Sequence, residues 1–166
     1  MSTTEESHQK VWDMIRDIRV AMLTSQDDSG KLHARPMAAM QTDFSGTLWF
    51  MTNAKSPKVE EARHHADVNL SYAHPTKEHY VSITGRARVI QDRERVREMW
   101  SEAARVWFPK GPDDPDIALL AVDIETAEYW DSPSSTVIYL YGYAKARLTG
   151  QAPTTNELGE NKTVRF

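Results

Sequence analysis

Ser56, Pro57 and Lys58 follow directly on an apolar run, Thr47-Leu48-Trp49-Phe50-Met51-Thr52-Asn53. Serine is a favoured helix N-cap and proline a favoured first helical residue, so a helix is expected to begin here. A helix start presents free backbone N–H groups and the positive end of the dipole, which suits a phosphate. Lys58 adds a cation at the same place. Leu48 to Thr52 shows no apolar–polar alternation, so a strand there should be covered on both faces. One face can enter the core; the other calls for a second chain or a flat apolar ligand. An apolar wall beside an anion cradle is what a planar phosphorylated cofactor requires.

A second candidate is Arg35, between Ala34 and Pro36. Proline cannot donate to a sheet ladder, so an edge or bulge is expected there. An arginine at such a point can serve as a phosphate or flat-ring contact, or stand as a surface strand residue. Ala38 and Ala39 fit plain core packing or the close approach of a ring. Ser56-Pro57 alone is most often only a helix cap, and Trp49 and Trp130 alone read as core or interface residues. His64 and His65 tempt a metal reading, but adjacent helical positions diverge by about 100° and read better as a solvated pair. Asp113-Asp114-Pro115-Asp116 lacks regular ligand spacing. There is no Ser-His-Asp, zinc or Gly-rich dinucleotide signature.

The elements that must position these residues follow from the pattern. The 166 residues suffice for one domain with a real core. The net charge of −4 argues against nucleic acid or an anionic membrane as partner. The absence of cysteine excludes disulfides and thiolate chemistry. No apolar run approaches the ~20 residues of a membrane span, and Met1 to Glu6 is acidic and polar; a cytoplasmic protein is expected. Residues 5–18 read as an amphipathic helix with Val11, Met14, Ile15 and Ile18 on one face. Strands are expected over 19–25, 31–41 and 47–52, the first three forming a meander, with Val20 to Leu23 again apolar on both faces. A short helix over 57–65 and strands over 68–74 and 80–90 follow. A helix capped by Asp92 is expected to run to Trp107, burying Val96, Met99, Trp100, Ala103, Val106 and Trp107 as one stripe. Then come a Pro-rich loop over 109–115, a strand over 118–130, a helix over 134–148, a loop over 151–160 and a final strand over 162–166. Six or seven strands with few helices predict a mainly β (α+β) antiparallel barrel flanked by helices.

Arg35-Pro36-Met37-Ala38-Ala39, Phe50-Met51-Thr52-Asn53, Ser56-Pro57-Lys58 and Glu128-Tyr129-Trp130, in that order, resemble the pyridoxamine 5′-phosphate oxidase-like flavoproteins with the FMN-binding split barrel. Within them the chain is most similar to the general stress protein 26 group. There its length, its Arg-Pro-Met strand, the Tyr-Trp-Asp-Ser-Pro run at 129–133 and the following helix all fit. The resemblance spans nearly the whole chain; no single motif is specific, but the ordered set is. It implies a homodimer with FMN at the interface. Arg35, Pro36 and Met37 would approach the ring and phosphate. Phe50, Met51 and Thr52 would border the ring, and Ser56 and Lys58 would hold the phosphate. Trp130 would reach the flavin from the other subunit.

Two departures from the oxidase matter. Pro57 stands where the oxidase has an arginine between its Ser and Lys, and Asp-Ser-Pro-Ser-Ser follows Trp130 where the oxidase has an Arg-x-His-x-Arg substrate element. Flavin binding is therefore the expectation, and pyridoxine phosphate oxidation is not. The resemblance implies a flavin-dependent oxidoreductase of an unidentified small molecule, linked to stress response, or else a protein that holds or senses flavin without turnover. Deazaflavin F420 or haem, used by relatives of this barrel, are the alternative ligands. No catalytic residue is nominated; Tyr80, Tyr129 and His33 are the candidates for moving a proton.

Overall fold

The computed structural model describes residues 3–41, 43–133 and 135–166. Helix α1 (Thr3–Ile18) buries Val11, Trp12, Met14 and Ile15 in the main core, as the spacing requires. Its end is abrupt. Arg19 takes a left-handed backbone (φ 67°), and its N–H donates to the Ile15 carbonyl (3.2 Å), so the chain turns directly into β1 (Val20–Gln26). A tight turn at Asp27 to Gly30 returns it as β2 (Leu32–Ala38), paired with β1 from Val20↔Ala38 to Gln26↔Leu32.

The expected three-strand meander ends there. The sheet order is β2-β1-β4-β5-β6-β3, with β7 also on β6. Strand β3 (Thr47–Asn53) pairs with β6 (Ile117–Asp131), from Thr47↔Asp123 to Asn53↔Ile117. The bridge Ala39↔Phe50 and the Met40 N–H to Trp49 carbonyl bond (3.0 Å) join the end of β2 to β3 and close the barrel, and the Gln41 side chain adds bonds to the Thr47 carbonyl and the Trp49 amide. The physical reason lies in β6. Its 15 residues are long enough to offer one edge to β5 and to divide the other between β3 and β7 (Glu160–Arg165). Residues 117–122 are buried without alternation, so both faces are packed. Strands β4 (Asp67–Ala73) and β5 (His79–Ile90) complete the sheet. The observed fold is a seven-stranded antiparallel split barrel with flanking helices.

Two clusters fill it. The main core, inside the barrel, includes Leu23, Phe50, Leu70, Ile83, Leu120 and Tyr129. A second cluster joins Met51, Val96, Ala104, Ile117 and Leu119, with Trp49 packed against it. The outer face of β3 is thus largely covered by this chain's own residues rather than wholly by a ligand or a second chain.

The cover is also where the helix prediction fails. Asp92 caps α3 (Arg93–Met99) as expected, accepting from the Glu94 and Arg95 amides. The helix stops at Trp100, and a 3-10 turn over Glu102–Val106 starts afresh after Ser101. The break lets Ala104 and Phe108 fold back over Met51. It also turns Val106 and Trp107 outward, each 79 % exposed, so the expected six-residue stripe is not one packing face.

Helix α2 (Pro57–His64) starts where the Ser-Pro pair places it. Helix α4 (Ser135–Thr149) forms over the stretch expected to be helical, but Val137, Tyr139, Leu140 and Leu148 are exposed; Ser134, its expected start, lies outside the described residues. The expected loop over 151–160 contains a short helix, α5 (Thr155–Leu158), held by a capping box between Thr154 and Glu157. His64 and His65 are not merely solvated: both rings reach the Asp28 carboxylate, at 3.0 and 3.1 Å. No metal-binding cluster of His, Cys, Asp and Glu occurs among the described residues.

Candidate functional site

Where β2 ends, β3 ends and α2 begins, the surface opens into a cleft of about 550 Å³. Pro36 and Met37 come from β2, Met51 and Thr52 from β3, and Lys58 from the first turn of α2. These are five of the nine residues expected at a cofactor site, brought together from three elements. Ala104, Trp107, Phe108 and Asp114 form the facing wall, and Val20, Ala38, Met40 and Asn53 complete the lining. The size falls within the range of small-ligand sites, and the lining is mostly apolar with a few polar groups.

The polar end is built around Lys58. Ser56 makes no side-chain cap bond to the helix, and its hydroxyl lies 3.4 Å from that of Thr52. One hydroxyl donates to the other, which leaves the second O–H of the pair free to donate. Arg35 does not line the cleft. Its Nη2 donates to Glu61 Oε2 at 2.9 Å and its Nη1 to the Ser25 hydroxyl, which itself donates to Glu61. Lys58 and Glu61 lie three residues apart on α2, so they share a face. Burial pushes the Lys58 pKa down, and repulsion by Arg35 adds to that; the Glu61 charge opposes it only in part. Burial by itself would raise the Glu61 pKa, but the bonds from Ser25 and Arg35 outweigh it and hold the carboxyl below its ordinary value. Lys58 in the cleft and Arg35 behind it are therefore two neighbouring cations with Glu61 as the carboxylate between them, an arrangement that an anion bound at Lys58 would stabilise.

This balance carries a prediction. In Glu61→Gln the half-buried Arg35 loses its ion pair, and the fold should lose about 1–3 kcal/mol, read as a shift in denaturation midpoint. A phosphate would then meet less repulsion, worth about 1 kcal/mol or roughly fivefold tighter FMN binding. Loss of stability together with weaker binding would contradict the arrangement.

Besides Arg35, three expected residues lie elsewhere or play other parts. Phe50 is fully buried in the main core and is not part of the cleft wall. Ser56 does not line the cleft and touches it only through its hydroxyl contact with Thr52. Trp130 lies in a separate shallow groove of about 400 Å³, with Val20, Met22 and Tyr80 among its walls and Tyr80 paired opposite it. Of the candidate proton carriers, Tyr80 shares that groove, Tyr129 is buried with its hydroxyl donating to Glu160 (2.7 Å), and His33 is bonded to Asp27 (2.9 Å). None of them lines the cleft.

Glu61, Met40, Trp107 and Asp114 escaped the sequence reading. For Glu61 the i,i+3 spacing to Lys58 was the available signal. Trp107 had none, since it sat in an apparent packing stripe.

The residues present fit FMN: an apolar cleft for a ring system, with a cation, a helix start and two hydroxyls at one end. The comparisons agree in kind. Residues 6–154 match the family model described as pyridoxamine 5′-phosphate oxidase like. Protein bli-3 of Neurospora crassa is 30 % identical over 152 residues, covering 86 % of this chain and 73 % of that protein. A structure from Jannaschia sp. CCS1, provisionally assigned as general stress protein 26, superposes with TM-score 0.72 at 29 % identity, covering 98 % of this chain and 99 % of that one. The general stress FMN/FAD binding protein of Xanthomonas citri superposes with TM-score 0.68 at 30 % identity, covering 80 % and 93 % respectively. With nearly its whole length matched and the split barrel in place, this chain belongs to the pyridoxamine 5′-phosphate oxidase-like family.

Proposed function

We propose that this protein binds FMN in the cleft between β2, β3 and α2, and acts as a flavin-dependent oxidoreductase of a small molecule. The observation that carries the reading is the meeting of Pro36, Met37, Met51, Thr52 and Lys58 in one cleft at a helix start. Lys58, Ser56 and the first amides of α2 would hold the phosphate, with Arg35 placing charge behind them. Pro36, Met37 and Met51 would bound the ring, and Thr52 would offer it a hydroxyl. Bound flavin supplies the electron-transfer chemistry; the protein binds it, orients it and excludes water. Among the described residues, Lys58 and Asp114 are the only ionisable side chains lining the cleft. That scarcity of proton carriers favours, as a second reading, a protein that holds flavin without turnover. Anaerobic mixing with NADH or NADPH separates the two: reduction of bound flavin supports the oxidoreductase, and failure with both donors supports the holder.

The protein is further proposed to act as a homodimer. Val20 and Met22 project from β1 and Tyr80 from β5, all exposed, beside Trp130 in the groove. Val20 also lines the cleft, so a partner seated on this face would bring its own Trp130 near the flavin site. Adjacent exposed apolar side chains of this kind mark interaction surfaces. Met22→Asp should turn a dimer of 18.9 kDa chains into monomers in sedimentation and weaken FMN at least about tenfold. A dimer that persists with unchanged FMN affinity would contradict the shared site.

A further inference from the structure

A second cavity, of about 490 Å³, lies at the barrel end that α1 covers. Trp12 and Ile15 of α1, Leu48 of β3, and Met40 and Trp107 give it apolar walls. Arg16 and Arg19 stand at its edge. Arg16 is paired with Asp13 at 3.2 Å. Arg19 has no side-chain ion pair or hydrogen bond among the described residues, and it is held in place by the left-handed turn between α1 and β1.

Tyr72 also lines this cavity and the neighbouring Trp130 groove, at 3 % exposure. Its hydroxyl is buried and has no hydrogen-bond partner. The β1–β4 register, Met22↔Ser71 and Leu23↔Leu70, sets Tyr72 beside Ala21, two residues from Arg19. An orphaned donor and a cation without a side-chain partner among the described residues therefore line one largely apolar cavity. Burial pushes the Tyr72 phenol pKa up, so it stays a neutral donor. A buried hydroxyl without a partner costs about 1–3 kcal/mol, which a ligand acceptor can recover.

We infer that this cavity is a binding site for a small apolar carboxylate, its acid group between Arg19 and the Tyr72 hydroxyl and its hydrocarbon against Trp12, Leu48 and Trp107. An anion is selected because every charge at the edge able to pair with a ligand is positive, and an apolar body because the walls offer it little else. The cavity shares Ala38, Met40, Ala104 and Trp107 with the flavin cleft, so its occupant would lie beside that site. The inference stands on the cavity's own residues and does not require flavin.

The test is calorimetric titration of the full chain, without and with FMN, using 4-phenylbutyrate and its neutral amide as probes. The carboxylate should bind at one site per chain, and the amide at least about tenfold more weakly. Arg19→Gln should bring the carboxylate to the level of the amide. Tyr72→Phe should weaken both probes severalfold while leaving the melting temperature equal or higher. Lys58→Ala, which strips the flavin phosphate contact, should leave both probes unaffected. Absence of saturable carboxylate binding at about 10 mM would overturn the site. So would equal binding of the amide, wild-type affinity in both Arg19→Gln and Tyr72→Phe, or loss of the probe in Lys58→Ala, which would place it in the flavin cleft. Because FMN affinity is read separately, failure here and failure of the flavin reading are distinguishable.

Discussion

Lys58→Ala should weaken FMN by roughly ten- to hundredfold, corresponding to about 1.5–3 kcal/mol for a lost charge-assisted hydrogen bond, while riboflavin binding changes little. The difference between the two ligands is the phosphate alone. Lys58 is the cation that lines the cleft, whereas Arg35 is already engaged by Glu61 and Ser25. Pro57 supplies no further charge, so Lys58 carries more of the phosphate than it would beside an arginine. Equal loss of FMN and riboflavin would mean that Lys58 shapes the cleft without reading the phosphate.

The same residue gives a pH signature. Burial and the nearby Arg35 lower the Lys58 pKa. It is charged below that lowered value and neutral above it, so FMN affinity should fall as pH rises through it. Riboflavin should show no such fall. Lys58→Arg keeps its charge throughout and should flatten the FMN profile.

Gly85→Val should destabilise the fold by about 3 kcal/mol or more, lowering the melting temperature by roughly 10 °C. Gly85 lies at the irregularity where the β5–β6 register shifts after Thr84. A Cβ there would overlap the Asp123 carbonyl and stand 3.0 Å from Val122 Cγ1. The first obstacle is backbone, so it cannot rotate away. Relief requires moving β6, and β6 also carries β3 and β7. Thr84→Val, at the exposed neighbour, should stay within about 0.5 kcal/mol. Denaturation midpoints of the two variants check the contrast. If Gly85→Val unfolds like Thr84→Val, the close approach of the two strands is not a packing constraint.

Local signals in the chain proved dependable. The Asp92 cap, the Ser56-Pro57 helix start, the α1 stripe and the long apolar β6 segment each specify their element through neighbours a few residues away. Strand order was not local. Nothing near Thr47 says that its partner is Asp123, 76 positions later; that pairing follows from β6 being long enough to serve several strands. The break at Trp100 was hidden for a related reason. Helical spacing continues through Val106 and Trp107, but covering Met51 requires the chain to fold back sooner.

The site divided along the same line. Ser56, Lys58, Met51 and Thr52 were legible because strand end and helix start are consecutive in sequence. Pro36 and Met37 were reached through resemblance, and the barrel closure at Ala39↔Phe50 is what brings them to the cleft. Trp130 stands apart from the cleft within one chain. Its proposed role therefore depends on a second copy, which the sequence of one chain expresses only as exposed Val20 and Met22 on an otherwise ordinary strand.

The central claim is met most directly by titrating the purified, flavin-free protein into FMN and following flavin fluorescence. Saturable quenching at one FMN per chain is expected, with riboflavin binding more weakly by the contribution of the phosphate. Fluorescence that is unchanged by excess protein, from a preparation that also remains colourless after incubation with FMN, would contradict it.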